Sequence, residues 1–200
     1  MKDLQSERTV VLVKPDGVKR GLVGEIIARF EKMGLKIRAM KMVWADESLA
    51  LNHYPESRTE LMKAIGEKTL ATYEKYGMDP GEKFGKLSPI EIGQMVNKWN
   101  IEFLTSGPVV AMILEGLHAV ENVRTLVGAT MPVSAQAGTI RGDYSLDSAA
   151  LANVKGRAVK NLIHASGNVE EADFEAQLWF KESDIVDNYK RTDEDVMFEK

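Results

Sequence analysis

Unbroken apolar runs and amphipathic stretches succeed one another along the chain, separated by turn-forming residues. Residues 9–13 and 109–114 are continuous apolar or β-branched runs, which predict buried strands. Residues 35–44 alternate in part between apolar and polar side chains, and residues 160–164 form a short apolar run that ends in a loop. We therefore expect four strands.

Amphipathic stretches predict three helices between and after these strands, at residues 21–33, 119–127 and 168–180. The last begins with Asn168 and has Glu171 three residues later, which predicts a capping box. The order of strands and helices indicates an α+β sandwich with a split β-α-β arrangement.

The stretch between about residues 56 and 98 has a helical pattern of its own. Ser88, Pro89 and Glu91 form a helix start signal: a capping serine, a proline at the first position and a glutamate after it. The charged, glycine-rich residues 78–87 predict a loop before that helix, and residues 145–155 allow an extra helical turn.

Composition narrows the class of protein. The chain has 200 residues, of which 44% are hydrophobic and 28% charged, as expected of one globular domain. It has no cysteine, which excludes disulfides, thiolate metal sites and cysteine nucleophiles. The net charge is −4, whereas nucleic-acid binders usually carry an excess of positive charge, so a nucleic-acid partner is not expected.

Neither a membrane nor an export signal is expected. Residues 1–8 have mixed charge and no apolar core, unlike a signal peptide. The longest apolar run, residues 109–114, is far too short to span a bilayer. We expect a cytoplasmic protein.

The common phosphate-binding loops are missing from the sequence, which has neither a Walker A motif nor a G-x-G-x-x-G motif. Protein-kinase signatures are also absent. A phosphate site in this chain must therefore use side chains rather than a glycine-rich cradle.

The chain has three histidines. His53 lies in a polar stretch and is interpreted as a surface residue, and His118 lies at a strand-to-helix turn, where a local cap is expected. His164 ends an apolar strand and enters a loop, a common position for site residues. Its alternatives, a core histidine or a reactive one, remain open on local sequence.

Glu175 is predicted to face inward on the last helix, because Ala172, Ala176 and Trp179 form the apolar side there. A buried carboxylate is costly unless it is paired. It could form an ion pair with a lysine or arginine, or it could orient the ring of His164 and so present the other ring nitrogen as a nucleophile or base. The sequence does not choose between these pairings.

Three cations are candidates for a phosphate site. Lys14 closes the first strand, Arg124 lies on the helix after the third strand, and Arg141 lies between Gly138 and Gly142. Arginine suits bidentate phosphate contacts and lysine acts as a point charge. Each alone is also compatible with a solvated surface charge.

Together these segments resemble the nucleoside diphosphate kinase family. The matching segments occur in the family's order over about three quarters of the chain. They are residues 7–18 (with Lys-Pro-Asp-Gly-Val at 14–18), 20–27, 53–54 (His-Tyr), 106–112 (Ser-Gly-Pro-Val-Val-Ala-Met), 138–143 (Gly-Thr-Ile-Arg-Gly-Asp), 161–166 (Asn-Leu-Ile-His-Ala-Ser) and 178–180 (Leu-Trp-Phe).

The resemblance implies a fold, an activity and an assembly. It implies one domain over residues 1–200: a ferredoxin-like βαββαβ sandwich, α+β, with an antiparallel four-stranded sheet and helical insertions at about 56–98 and 145–158. It implies transfer of the γ-phosphate of a nucleoside triphosphate, such as ATP, to a nucleoside diphosphate, by a ping-pong route through a phosphohistidine. Mg²⁺ would arrive on the nucleotide phosphates, with no metal site in the protein. A homo-oligomer is implied, with a hexamer favoured.

The resemblance also assigns roles to single residues. His164 matches the nucleophile, Glu175 the carboxylate that holds its ring, and Ser166 a hydroxyl near it. The positions around the transferred phosphate and the nucleotide are matched by Lys14, Tyr54, Arg124, Thr130, Arg141 and Asn161.

Two departures from the family pattern qualify these expectations. Gly167 stands where the family usually has an aspartate, so we expect altered loop rigidity without loss of activity. The insertion replaces the family's aromatic platform for the base, and counting back from Ser106 puts Val96 near that position. Two alternatives to an active enzyme remain: a nucleotide-binding regulatory module on the same fold, and an inert scaffold.

Overall fold

A four-stranded antiparallel sheet organises the chain, which the computed structural model describes over residues 6–187 and 189–198. The strands are β1 (Glu7–Val13), β2 (Lys36–Trp44), β3 (Pro108–Gly116) and β4 (Ile163–Ala165). Their spatial order is β2-β3-β1-β4, so the two continuous apolar runs form the two central strands. The predicted α+β, ferredoxin-like sandwich is confirmed.

Helices cover both faces of this sheet. They are α1 (Pro15–Lys19), α2 (Val23–Lys32), α3 (Glu47–His53), α4 (Thr59–Lys75), α5 (Pro80–Phe84), α6 (Pro89–Thr105), α7 (Ala119–Val127), α8 (Ile140–Tyr144), α9 (Ala149–Lys155), α10 (Val169–Trp179) and α11 (Glu194–Met197). Short 3₁₀ turns lie at Pro132–Ser134 and Glu182–Asp184.

Alternate residues of the central strands enter two separate cores. Val11 and Met112 pack on one face with α2 and α7, whereas Leu12 and Ile113 pack on the other with α3, α6 and α10. Because side chains alternate along a strand, a run that is apolar at every position buries both faces. Because β4 pairs with β1 and α10 packs on the same sheet, these two elements lie beside each other.

Helices α4, α5 and α6 form the region predicted to be an insertion. A Cβ built on Gly66 would lie 1.8 Å from the carbonyl oxygen of Pro89, and one on Gly93 would lie equally close to that of Met62. Glycine is thus what lets α4 and α6 approach each other. The capping box that opens α6 at Ser88 is confirmed.

Several local predictions need correction. The predicted loop 78–87 contains α5, which Asp79 caps and Pro80 begins, and the turn predicted at 14–17 is the start of α1. The second capping box is half formed: Asn168 accepts the Glu171 backbone N–H, but the Glu171 carboxylate accepts from the Gly167 N–H instead.

The ends of the chain are only partly covered. Residues 1–5 of the N-terminal segment, and residues 188, 199 and 200 of the charged tail, lie outside the described residues. Within the described ranges, no helix is long and apolar enough to cross a membrane.

Candidate active site

The sheet and the last long helix bring His164 and Glu175 into direct contact. His164 lies on β4 opposite Leu12 of β1, and its Nε2 is 2.7 Å from Oε1 of Glu175. The other carboxylate oxygen accepts the Ser166 hydroxyl at 2.6 Å. Of the two pairings that the sequence left open, the structure therefore forms the one with the histidine.

The backbone before β4 is held by α1. The Lys14 N–H donates to the Leu162 carbonyl at 2.8 Å, and Asp16 accepts the Leu162 N–H at 3.1 Å. Leu162 has a φ of +67°, a left-handed conformation that costs a non-glycine residue on the order of 1 kcal/mol. These two hydrogen bonds maintain that conformation two residues before His164.

The His164 ring is neutral at physiological pH. Burial, followed by the charges of Lys14, Arg141 and Arg124, lowers its pKa to about 3. Because an ionised carboxylate can only accept, Nε2 carries the ring proton that Glu175 receives. Nδ1 then keeps its lone pair and has no hydrogen-bond partner among the residues that the structure describes.

His53 is not the surface residue that the sequence predicted. Its side chain is 1% exposed and its ring stands edge-on to that of His164, with centroids 4.5 Å apart. Its Nδ1 faces the Trp179 indole N–H at 3.4 Å and lies 3.5 Å from Oε1 of Glu175. Burial holds the pKa of His53 well below its usual value.

A signal for this burial was present in the sequence. His53 lies three residues after Ala50, so the two share a helix face, and Ala50 is fully buried. His118, by contrast, takes the expected N-cap position of α7, with a φ of +46° and no capping hydrogen bond from its side chain.

Lys14, Asn161 and Thr130 form a chain of contacts. The Lys14 ammonium donates to the Asn161 side-chain oxygen at 3.0 Å, and the Asn161 amide donates to the Thr130 carbonyl at 3.0 Å. Burial, and then the charge of Arg141, lowers the pKa of Lys14 to about 8. The ammonium is thus a buried cation without a carboxylate partner among the described residues.

Arg141 carries a positive charge and also stabilises the backbone around it through hydrogen bonds. Three of its five N–H groups donate to the backbone carbonyls of Asn161, Ile163 and Gly128, at 3.1, 2.6 and 2.9 Å. Burial lowers the pKa of Arg141 to about 10, with a further contribution from the charge of Arg124. It remains charged at neutral pH.

Arg124 is exposed on α7, and its positive charge acts on His164 and Arg141. It lowers the pKa of both His164 and Arg141, and its guanidinium forms no hydrogen bond within residues 6–187 and 189–198. It lines a groove of about 620 Å³ between α7 and the start of α10.

Tyr54 lies beside the buried histidine pair and contacts α6. The Tyr54 ring lies 4.6 Å from that of His53, and burial, followed by the charge of Glu175, raises its pKa. The Tyr54 carbonyl accepts from Asn97 of α6 at 3.0 Å. Val96, the residue before Asn97, is half-buried on α6.

One group of side chains has the spacing of a metal site. Ligand atoms of His53, His164 and Glu175 lie within 4.8 Å of one another. Two imidazoles and one carboxylate do not suit Mg²⁺, which prefers an octahedron of oxygen ligands.

Comparison with known proteins decides the family. The sequence profile described as nucleoside diphosphate kinase matches residues 7–64 and 91–185. The chain belongs to the nucleoside diphosphate kinase family. It is therefore a phosphotransferase that acts on nucleotides, and residues 65–90, outside the matched ranges, fall within α4–α6.

Relatives cover nearly the whole chain. The nucleoside diphosphate kinase of Pyrobaculum aerophilum is 49% identical over 181 residues, 90% of this chain and 98% of that protein. A crystal structure of an NDP kinase from the same organism gives a TM-score of 0.88 at 47% identity, covering 91% of this chain and all of the other. The Borrelia burgdorferi enzyme, solved as a transition-state mimic with vanadate and ADP, gives 0.75 at 38% identity, covering 97% and 98%.

Proposed function

We propose that this chain transfers the γ-phosphate of a nucleoside triphosphate, such as ATP, to a nucleoside diphosphate by a ping-pong route through phosphorylated His164. The observation that carries the proposal is the 2.7 Å contact of Nε2 with Glu175. It fixes the ring and leaves Nδ1 as a neutral nucleophile among three cations.

In the first half-reaction the Nδ1 lone pair attacks the γ-phosphorus. The bond from phosphorus to the oxygen bridging to the β-phosphate breaks, and the diphosphate leaves with that electron pair. The ring gains positive charge as the N–P bond forms, and the ionised Glu175 stabilises it through Nε2–H. The second half-reaction reverses these changes with a different diphosphate as acceptor.

The cations act by position and charge. Lys14, Arg124 and Arg141 bind the phosphates and offset the charge on the transferred group. Mg²⁺ carried by the nucleotide would supply further positive charge at the phosphates. Thr130 and Asn161 lie next to Lys14 and bind the nucleotide from that side, with Asn161 at the sugar hydroxyl. Support comes from the contact chain that joins these residues.

Tyr54 and Val96 complete the proposed site. Tyr54 lies beside the buried histidine pair and contributes its hydroxyl near the transferred phosphate. Val96 is proposed to contact the base from α6, in place of an aromatic platform. An aliphatic contact reads no base edge, which agrees with broad nucleotide specificity.

We also propose a homo-oligomer, with a hexamer built from dimers favoured. Support comes from the edge strand β2, on which Met40, Met42 and Trp44 are 54%, 62% and 66% exposed. An apolar stripe on an edge strand favours association. Sedimentation equilibrium tests the hexamer: it requires six times the chain mass of 22.2 kDa.

The activity test measures GTP formation from ATP and GDP with Mg²⁺. Wild type should transfer phosphate, His164→Ala should not, and His118→Ala serves as the control histidine. Incubation of wild type with ATP alone should add the mass of one phosphoryl group, acid-labile and absent from His164→Ala. A well-folded wild type that neither transfers nor becomes phosphorylated would overturn the proposal.

A further inference from the structure

Arg58 lies at the edge of the site, at the start of α4. It is the N-cap residue of α4, only four residues after Tyr54, and its side chain is 48% exposed. Its charge lowers the pKa of both Glu175 and His53, so its field reaches the pair that orients the nucleophile. Nothing in the motifs of the sequence marks it for this position.

Glu171 holds Arg58 loosely at the edge of the site. Nη1 of Arg58 lies 3.9 Å from Oε1 of Glu171, the outer limit of an ion pair. The other oxygen of Glu171 accepts the Gly167 N–H at 2.6 Å. Glu171 lies one helical turn before Glu175, and its charge raises the pKa of His164.

Glu171 also occupies space beside Arg124. A Cβ built on Gly167 would lie 2.6 Å from Oε2 of Glu171 and 3.8 Å from Nη1 of Arg124. Glu171 thus lies at the limit of an ion pair with Arg58 and near the same loop residue, Gly167, as Arg124. Its carboxylate offers Arg58 the kind of anionic oxygen that a nucleotide phosphate would supply.

We propose that Arg58 is a fourth phosphate-binding cation, contributed by the start of α4, and that Glu171 holds it beside the site until a nucleotide phosphate takes over the contact. The inference rests on the proposed function. The 3.9 Å separation and the exposed arginine side chain make the existing pair weak and easily exchanged. A phosphate offers more charge and a bidentate geometry.

The proposal predicts opposite effects of two charge-removing substitutions on ADP affinity. Arg58→Gln should weaken ADP binding about tenfold, because a charge-assisted phosphate contact is lost. Glu171→Gln should tighten it, since a competing negative charge is removed while an oxygen remains for the Gly167 N–H. Isothermal titration of the full-length protein with Mg²⁺-ADP measures both.

Matched controls remove the same charges elsewhere on the same helices. Lys63→Gln removes a half-exposed cation of α4 that pairs with Glu67, and Asp173→Asn removes an exposed anion of α10. Neither should change ADP affinity by more than about twofold.

The double variant separates phosphate binding from a merely structural ion pair. If Arg58 binds phosphate, Arg58→Gln still weakens ADP binding when Glu171 is already Gln. An effect that vanishes in that background, or one no larger than that of Lys63→Gln, would overturn the inference. Wild-type transfer of phosphate from ATP to GDP tests the proposed function separately. If wild type binds no ADP, the inference about Arg58 and the proposed function are both contradicted.

Discussion

Replacing Glu175 with glutamine tests whether the carboxylate acts through its charge. The substitution keeps the size of the side chain and one oxygen acceptor. If the amide oxygen faces Nε2 of His164, the amide nitrogen faces the Ser166 hydroxyl, which can turn its proton toward the Val10 carbonyl at 3.3 Å. The ring keeps its hydrogen bond and loses the neighbouring charge.

The expected decrease in rate follows from the loss of the Glu175 charge alone. A hydrogen bond to a charged group contributes about 1.5–3 kcal/mol and one between neutral groups about 0.5–1.5, so the difference is about 1–2 kcal/mol. Positive charge develops on the ring only as Nδ1 attacks, so the loss belongs to the transition state. Phosphoenzyme formation should slow about 5- to 30-fold, with little change in KM.

Single-turnover rapid quench with labelled ATP measures this rate, and Asp173→Asn on the same helix is the control. Burial raises the pKa of Glu175, so the ionised form is destabilised in the folded protein, and Glu175→Gln should not lower Tm. A Glu175→Gln variant that matches the control in rate, or that changes only KM, would refute the reasoning.

Three further predictions concern Lys14 and two close contacts. ADP affinity should fall as pH rises through about 8, where Lys14 loses its charge, and Lys14→Arg should flatten the profile measured by titration calorimetry. Gly66→Ala should lower the free energy of unfolding in urea by roughly 1–3 kcal/mol, because the added Cβ overlaps a carbonyl oxygen. Gly24→Ala is the control: the space around Gly24 is open, so this change should be neutral or stabilising by up to about 1 kcal/mol. Gly167→Ala should cost about 1 kcal/mol by displacing the carboxylate of Glu171, and nothing when Glu171 is already Ala.

Each of these has an outcome that contradicts it. A flat pH profile for wild type between 6.5 and 9.5 would mean that the charge of Lys14 does not bind phosphate; both limits lie about 1.5 units from its pKa. Equal stability of the Gly66→Ala and Gly24→Ala variants would mean that α4 and α6 are not in close contact. A cost of Gly167→Ala that persists without the Glu171 carboxylate would point to the loop backbone itself.

The strands and the main helices could be predicted from the sequence because local pattern and burial agree there. The helix predicted at residues 119–127 has the observed bounds of α7. The two apolar runs are the central strands, since only a strand covered on both faces needs apolar side chains at every position. The short α5 was missed, although Asp79 and Pro80 are a start signal for it.

The candidate site was less predictable because its contacts are tertiary. The inward face of Glu175 followed from helix spacing, but its partner did not. His53 shares a helix face with the apolar Ala50, but the packing of α3 against α10 that buries it is a tertiary contact. The carbonyls that hold Arg141 come from three separate segments, which no local pattern connects.

The site concentrates several features that cost stability. Lys14 and Arg141 are buried cations with lowered pKa values, and Leu162 has a left-handed backbone. Nε2 of His53 is buried and has no hydrogen-bond partner among the described residues. Two apolar cores on either side of the sheet hold these groups in place. Lys14 and Arg141 form no ion pair with a carboxylate in the part of the chain that the structure describes, so we expect a polyphosphate that enters the site to supply the negative charge that they lack.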